Sequence, residues 1–246
     1  MATLALSPLE RVTRERRFYT RMALFLAAVV FIGFAPSFYL RGYVSFPRPN
    51  PTLPPAVMLH GLVFTAWMLL VVAQTQLIAA NRRDLHMKLG LAGMAFAAAL
   101  IPIMYLTAVW QVARANQPPF TDPLSWSIVP IAGIVPFALL LWLGWSRRRD
   151  AQWHKRAMLS AAILTVAGPA IGRLPLAPPS LAGFTVQMIL GLLLFVPLFL
   201  WDRRSLGRIH PATWTGFSLA AVTQILPSVL MALDVWAPIA ARLPGI

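Results

Sequence analysis

The sequence predicts an all-α polytopic membrane protein: a bundle of seven transmembrane helices with the N-terminus inside and the C-terminus outside. Three observations predict it: the composition, the length of the uncharged stretches, and the alternation of basic residues between them. Of 246 residues, 59% are hydrophobic and only 11% are charged. A soluble domain carries about 25% charged residues, and a water-soluble globule of this size cannot hide so much apolar surface. The same composition excludes a disordered chain.

Charged residues divide the chain into neutral stretches at 22–40, 49–81, 89–113, 123–146, 157–172, 174–201 and 209–233. A spanning helix needs about 20 mostly apolar residues. The stretches 49–81 and 174–201 each open on a proline-rich loop (Pro49, Pro51, Pro54, Pro55; Pro175, Pro178, Pro179), so each holds one helix. The shortest, 157–172, reaches spanning length if Arg156 snorkels from the first turn. Seven segments result: about 20–41, 55–80, 85–112, 123–146, 152–172, 180–201 and 210–234. Residues 1–18 read as a short cytoplasmic arm, amphipathic or disordered, and 19–246 as the transmembrane domain. The arm is not expected to be a signal peptide, because the first apolar run is too long and no small-residue cleavage site follows.

Basic residues set the orientation. Sixteen of the 21 lie in the N-terminal arm and in the turns after segments 2, 4 and 6. The other five, Arg41, Arg48, Arg114, Arg173 and Arg242, lie on the opposite side. This split explains the net charge of +14 through topology and attraction to anionic headgroups. Nucleic-acid binding is not expected, since no basic domain is large enough to fold outside the bilayer.

Several chemistries drop out. There is no cysteine, so disulfides, iron–sulfur clusters, zinc-thiolate sites and covalent c-type haem are excluded. No acid lies centrally in a segment, which argues against an acid-relay pump. The only lysines, Lys88 and Lys155, sit at the inner surface, so no retinal lysine exists in the last segment.

The three inner turns resemble one another. Each has a basic turn, an acid, and a histidine near the start of the returning helix: Asp84 with His86, Asp150 with His154, Asp202 with His210. This pattern suggests segment 1 plus three hairpins. The plain reading is helix starts, with Asp84 and Asp150 as N-caps and His210 capping before Pro211. The sharper reading makes His86, His154 and His210 ligands of a cofactor, a b-type haem or a metal ion, with Arg83, Lys88, Arg156 and Arg208 available to haem propionates.

His60, Trp67 and Gln74 recur every seven residues on one stripe of segment 2, and His210 and Gln224 repeat the His-to-Gln spacing on segment 7. These stripes form either interhelical hydrogen bonds or a polar seam. On the outer side, His60, Gln187 and Arg173 lie at similar depth, with Tyr105 and Asp234 nearby. An arginine beside a histidine suits an anionic headgroup or carboxylate; the alternative is an Arg173–Asp234 pair closing the surface. Prolines inside six segments (Pro36, Pro102, Pro130, Pro136, Pro169, Pro197, Pro227) supply kinks that open a cavity without showing what fills it.

A set of short motifs carries a resemblance. They are Arg17-Phe18-Tyr19, Gly33-Phe34-Ala35-Pro36-Ser37, and His60-Gly61 with Trp67 and Gln74. Further along come Leu85-His86-Met87-Lys88-Leu89-Gly90, His154-Lys155-Arg156-Ala157-Met158-Leu159 and Pro169-Ala170-Ile171-Gly172-Arg173. Over roughly residues 15–175 the chain resembles a group of bacterial multi-pass inner-membrane proteins with no assigned activity. The resemblance implies the fold, a bacterial origin and location in the cytoplasmic membrane. It leaves open a cofactor- or ligand-binding protein, a non-catalytic subunit or assembly factor packed against other membrane subunits, and a transporter of a small or lipidic anion.

Overall fold

The computed structural model describes residues 7–44 and 52–246; the Arg48, Pro49 and Pro51 of the first long connection, and residues 1–6 of the arm, lie outside them. The described chain is helical. It comprises α1 (Pro8–Phe34, continued by a π-helical turn Ala35–Tyr39), α2 (Pro55–Ala79), α3 (Arg83–Arg114) and α4 (Pro123–Ser146, broken after Trp126 and Ile131). Then follow α5 (151–171, with a π-helical turn Ile163–Ala167), α6 (Leu181–Leu206, with a 3-10 turn Leu192–Phe195), α7 (Pro211–Ala232) and a short α8 (Ala237–Ala240). Six of these, all but α5 and α8, are long and apolar enough to cross a membrane. Their outward faces carry large apolar side chains such as Leu69, Leu91, Val135 and Trp142, each about 60% exposed or more. A water-soluble surface does not tolerate that density, so the chain is built as a multi-pass membrane protein.

α1 starts well before the expected residue 20. Ser7 and Glu10 form a capping box: the Ser7 N–H donates to Glu10 Oε2 at 2.7 Å and the Glu10 N–H donates to Ser7 Oγ at 3.2 Å. Pro8 occupies the first helical position. These local signals suit a helix start, so the described part of the basic arm is the first turns of α1.

α5 differs from the other helices. It touches α1, α2, α4, α6 and α7, and nearly every residue from Arg156 to Ala170 is buried. A helix buried on all sides is a core element. Its neighbours approach closely: a Cβ on Gly33 of α1 would lie 2.3 Å from the Ala170 carbonyl oxygen, and one on Gly216 of α7 would lie 2.0 Å from Ser160 Oγ.

The buried start of α5 overturns the expectation that Arg156 snorkels to the surface. Arg156 and Asp202 of α6 form an ion pair with neither side chain exposed. Asp202 Oδ1 accepts from Arg156 Nε at 3.0 Å and from its terminal nitrogen. Oδ2 accepts from the His210 N–H at 3.0 Å and the Thr213 hydroxyl at 2.6 Å. Arg156 also donates to the Gln152 carbonyl at 3.1 Å. Glu15 of α1 accepts from Gln152 and Lys155, and Arg16 donates to Asn81. The start of α1 and the three short turns therefore meet at one end of the bundle. Buried charge persists there because each polar atom of the carboxylate has a partner.

At the other end, Arg114 donates to the Thr52 carbonyl. The C-terminal segment folds back, with Tyr105 Oη donating to the Pro244 carbonyl at 2.7 Å and Trp236 Nε1 to Ser127 Oγ at 2.9 Å. Irregular backbone marks the prolines. The π turn of α1 contains Pro36, the π turn of α5 ends two residues before Pro169, and the 3-10 turn of α6 ends two before Pro197. Each proline lacks the N–H that a regular ladder needs, and the neighbouring turns adjust.

Candidate functional site

A cavity of about 750 Å³ opens in the proline-rich end of the bundle. Pro36 of α1, Pro130 of α4, Pro169 of α5 and Pro227 of α7 all face it. Prolines of four helices thus border one space, and the ladders around Pro36 and Pro169 are irregular there. Its walls are largely apolar, from Phe34, Phe64, Trp126, Phe184 and Met188 among others.

His60, Gln187 and Arg173 line this same cavity. His60 Nδ1 lies 2.8 Å from Thr107 Oγ1, and that hydroxyl is 2.7 Å from the Ile103 carbonyl. The carbonyl only accepts, so Thr107 gives it the hydroxyl proton and accepts from Nδ1–H. His60 Nε2 is then left with a lone pair, and the ring is held against Phe64 at 4.5 Å. Arg173 packs its guanidinium over the Phe34 ring, 4.3 Å from its centre, and donates to the Pro169 carbonyl at 3.3 Å. It turns back along α5 into the bundle. Gln187 donates to the Leu174 carbonyl. The alternative Arg173–Asp234 pair is not among the ion pairs of the described residues. Tyr105 and Asp234 do not line the cavity.

Residues that sequence reasoning did not assign to a site join these three. Arg41 and Arg114 line the cavity with Arg173, as do Gln111, Asn116 and Gln224. The chain's acids, Glu10, Glu15, Asp84, Asp122, Asp150, Asp202 and Asp234, contribute nothing to the lining. Three guanidiniums and no carboxylate make the cavity electropositive. A signal for Arg41 and Arg114 existed in the sequence: they belong to the five basic residues that the alternation sets apart from the other sixteen.

At the other end the histidines separate. His86 and His154 face each other edge to face, ring centres 6.2 Å apart. His154 Nδ1 is 2.8 Å from the Gly144 carbonyl, so Nδ1 carries the proton and Nε2 presents a lone pair. With its amide oriented to suit both neighbours, Gln74 donates to His86 Nδ1 and accepts from the Gly90 N–H at 2.9 Å. His210 stands apart from this pair. Its Nδ1 accepts from the Ala212 N–H at 3.1 Å, capping α7, and its ring meets Trp153 at 5.7 Å. Among the described residues no three metal-ligating side chains gather. Arg156, considered for haem propionates, is already held by Asp202. The open groove beside α2 and α3, lined by Leu77, Ala80, Leu85 and Lys88 among others, includes neither His86 nor His154.

The stripe on α2 therefore serves three places: His60 the cavity, Trp67 the core against Phe137, and Gln74 the histidine pair. No protein-family model, curated protein or solved structure matches the chain.

Proposed function

We propose that this is a seven-span protein of a bacterial cytoplasmic membrane, N-terminus inside, with α5 as the remaining span, and that its cavity binds an amphipathic anion for carriage or presentation. The observation that carries the reading is an apolar-walled cavity bearing Arg41, Arg114 and Arg173 and no acid. Three like charges along one apolar-walled space favour a bound anion. Guanidiniums pair with carboxylate or phosphate by charge-assisted hydrogen bonds, while the aromatic and aliphatic walls take an alkyl chain. The volume lies within the roughly 300–1,000 Å³ of small-molecule sites.

The test is displacement of radiolabelled dodecanoate from the protein in phosphatidylcholine nanodiscs, with dodecyl phosphate as the second headgroup. Saturable binding is expected, weakened at least tenfold by Arg173→Gln. Absence of saturable binding for both headgroups overturns the reading.

A second reading keeps the histidine pair as a cofactor site. The ring centres of His86 and His154 lie 6.2 Å apart, and an ion held between them would need His86 to carry its proton on Nδ1, with the Gln74 amide turned over. An absorption spectrum and metal analysis of the purified protein test it. Haem or bound metal that disappears in His154→Ala supports it; colourless, metal-free protein refutes it.

A further inference from the structure

One face of α2, running through Val57, His60, Gly61, Phe64 and Thr65, lines the cavity and meets Thr107 of α3 there. Leu59 and Leu62 on the other side of α2 are more than half exposed, while Phe64 and Trp67 on the His60 side are buried. The imidazole therefore lies on the inward side of the helix. Its Nδ1–H is spent on Thr107, whose own proton goes to the Ile103 carbonyl. Nε2 has no partner among the described residues, yet it is not one of the polar atoms sealed in the interior without a partner. It opens on the cavity as a bare acceptor.

The same polarity recurs one turn along α2. Thr65 gives its proton to the Gly61 carbonyl at 2.7 Å, so it accepts from the Tyr39 hydroxyl at 2.7 Å. Tyr39 and Thr65 also line the cavity, and neither has a hydroxyl hydrogen left to give. Negative charge on a ligand is met by the guanidiniums. The acceptor on α2 is met only by a hydrogen that the ligand itself brings.

Resting on the reading of the cavity as an anion site, we infer that His60 Nε2 receives a hydroxyl hydrogen from the ligand's anionic head. The ligand class is a hydroxylated anion, and His60 determines specificity for the hydroxyl. A simple carboxylate, sulfate or phosphodiester turns only oxygen lone pairs toward Nε2 and leaves it unpaired, which is unfavourable. A head with both a charge and a hydroxyl satisfies the guanidiniums and the imidazole together. Two sources share this chemistry: a 2-hydroxycarboxylate, and a hydroxyalkyl phosphodiester of the glycerol-phosphate type. Methylating the hydroxyl keeps the charge and removes the hydrogen.

The experiment extends the dodecanoate displacement assay at pH 8, above the ordinary histidine value of about 6.5. One arm compares 2-hydroxydodecanoate with dodecanoate and 2-methoxydodecanoate. The other compares dodecyl 2-hydroxyethyl phosphate with its ethyl and 2-methoxyethyl counterparts. In one arm the hydroxyl compound is expected to bind wild-type protein about tenfold more tightly than both comparators, the upper range of one neutral hydrogen bond; that arm identifies the head. The ratio should collapse in His60→Phe and recover in part in His60→Gln, whose Oε1 restores a lone pair. Each ratio is read within one protein, so a general loss of affinity does not enter it. If anions bind wild-type protein but neither hydroxyl compound gains threefold, or if the gain persists in His60→Phe, the His60 inference is wrong and the anion reading survives. If no anion in either arm binds, and dodecyl phosphate does not, the anion reading itself has failed. Wild-type protein alone decides the first comparison, so poor folding of a variant does not obscure it.

Discussion

Replacing Asp202 with alanine probes the contact that holds the core helix in register. In the native protein its carboxylate receives two donors from Arg156, one from the His210 backbone and one from Thr213. Neither charged side chain is exposed. Asp202→Ala leaves the guanidinium buried without its counter-charge, and two further donors lose their acceptor. Breaking one side of a buried pair costs about 3–5 kcal/mol. For a chain of this size 1 kcal/mol corresponds to about 2–4 °C in Tm, so a fall of about 6–20 °C is expected. Removing both charges behaves differently. Arg156→Met with Asp202→Leu exchanges an ion pair for apolar packing, and such exchanges are often neutral. The double variant should therefore recover most of the loss. Thermal unfolding in detergent, followed by size-exclusion fluorescence, reads both. A fall below 3 °C for Asp202→Ala, or a double variant less stable than the single one, refutes the account of α5 as a helix anchored by a buried pair.

Gly33→Leu should lower Tm more than Gly33→Ala, and both should destabilise, because a Cβ there meets the Ala170 backbone at 2.3 Å; overpacking of this kind costs about 1–3 kcal/mol. The His210 imidazole caps α7 as a neutral acceptor, and burial, then the Arg156 charge, hold its pKa below the usual histidine value. A lowered histidine pKa stabilises the fold fully above about pH 6.5, and that contribution is lost as pH falls through the folded value. Tm measured from pH 8 to pH 5 should therefore fall less in His210→Asn, which caps without titrating, than in wild type; equal slopes would remove the cap from the pH response. Reporter fusions after residue 81 and after residue 246 should report opposite sides of the membrane, and a shared side would contradict seven crossings.

The helices were legible from local chemistry. Long uncharged stretches, basic turns and proline-rich loops place most boundaries within a few residues, because a bilayer demands apolar length and internally satisfied backbone. Capping at Asp150 and His210 was legible too, since an N-cap is a contact of two or three residues along the chain. The partners of charged residues were not. Arg156 reads as a surface cation until α6 brings Asp202 beside it across 46 positions. His86, His154 and His210 look equivalent in sequence, yet their separation depends on how α3, α5 and α7 rotate about their axes.

The cavity shows the same division. His60, Gln187 and Arg173 could be grouped by depth, which helix length and position alone supply. The kinking prolines were visible as well. Only the tertiary structure turned Pro36, Pro130, Pro169 and Pro227 toward one space, brought Arg41 and Arg114 to its rim, and left the Gln224 amide between two glycines without a partner. Composition and periodicity act one helix at a time and so determine that helices form and where they begin. Which faces meet is decided by packing between helices distant in sequence, and the site exists only where those faces fail to close.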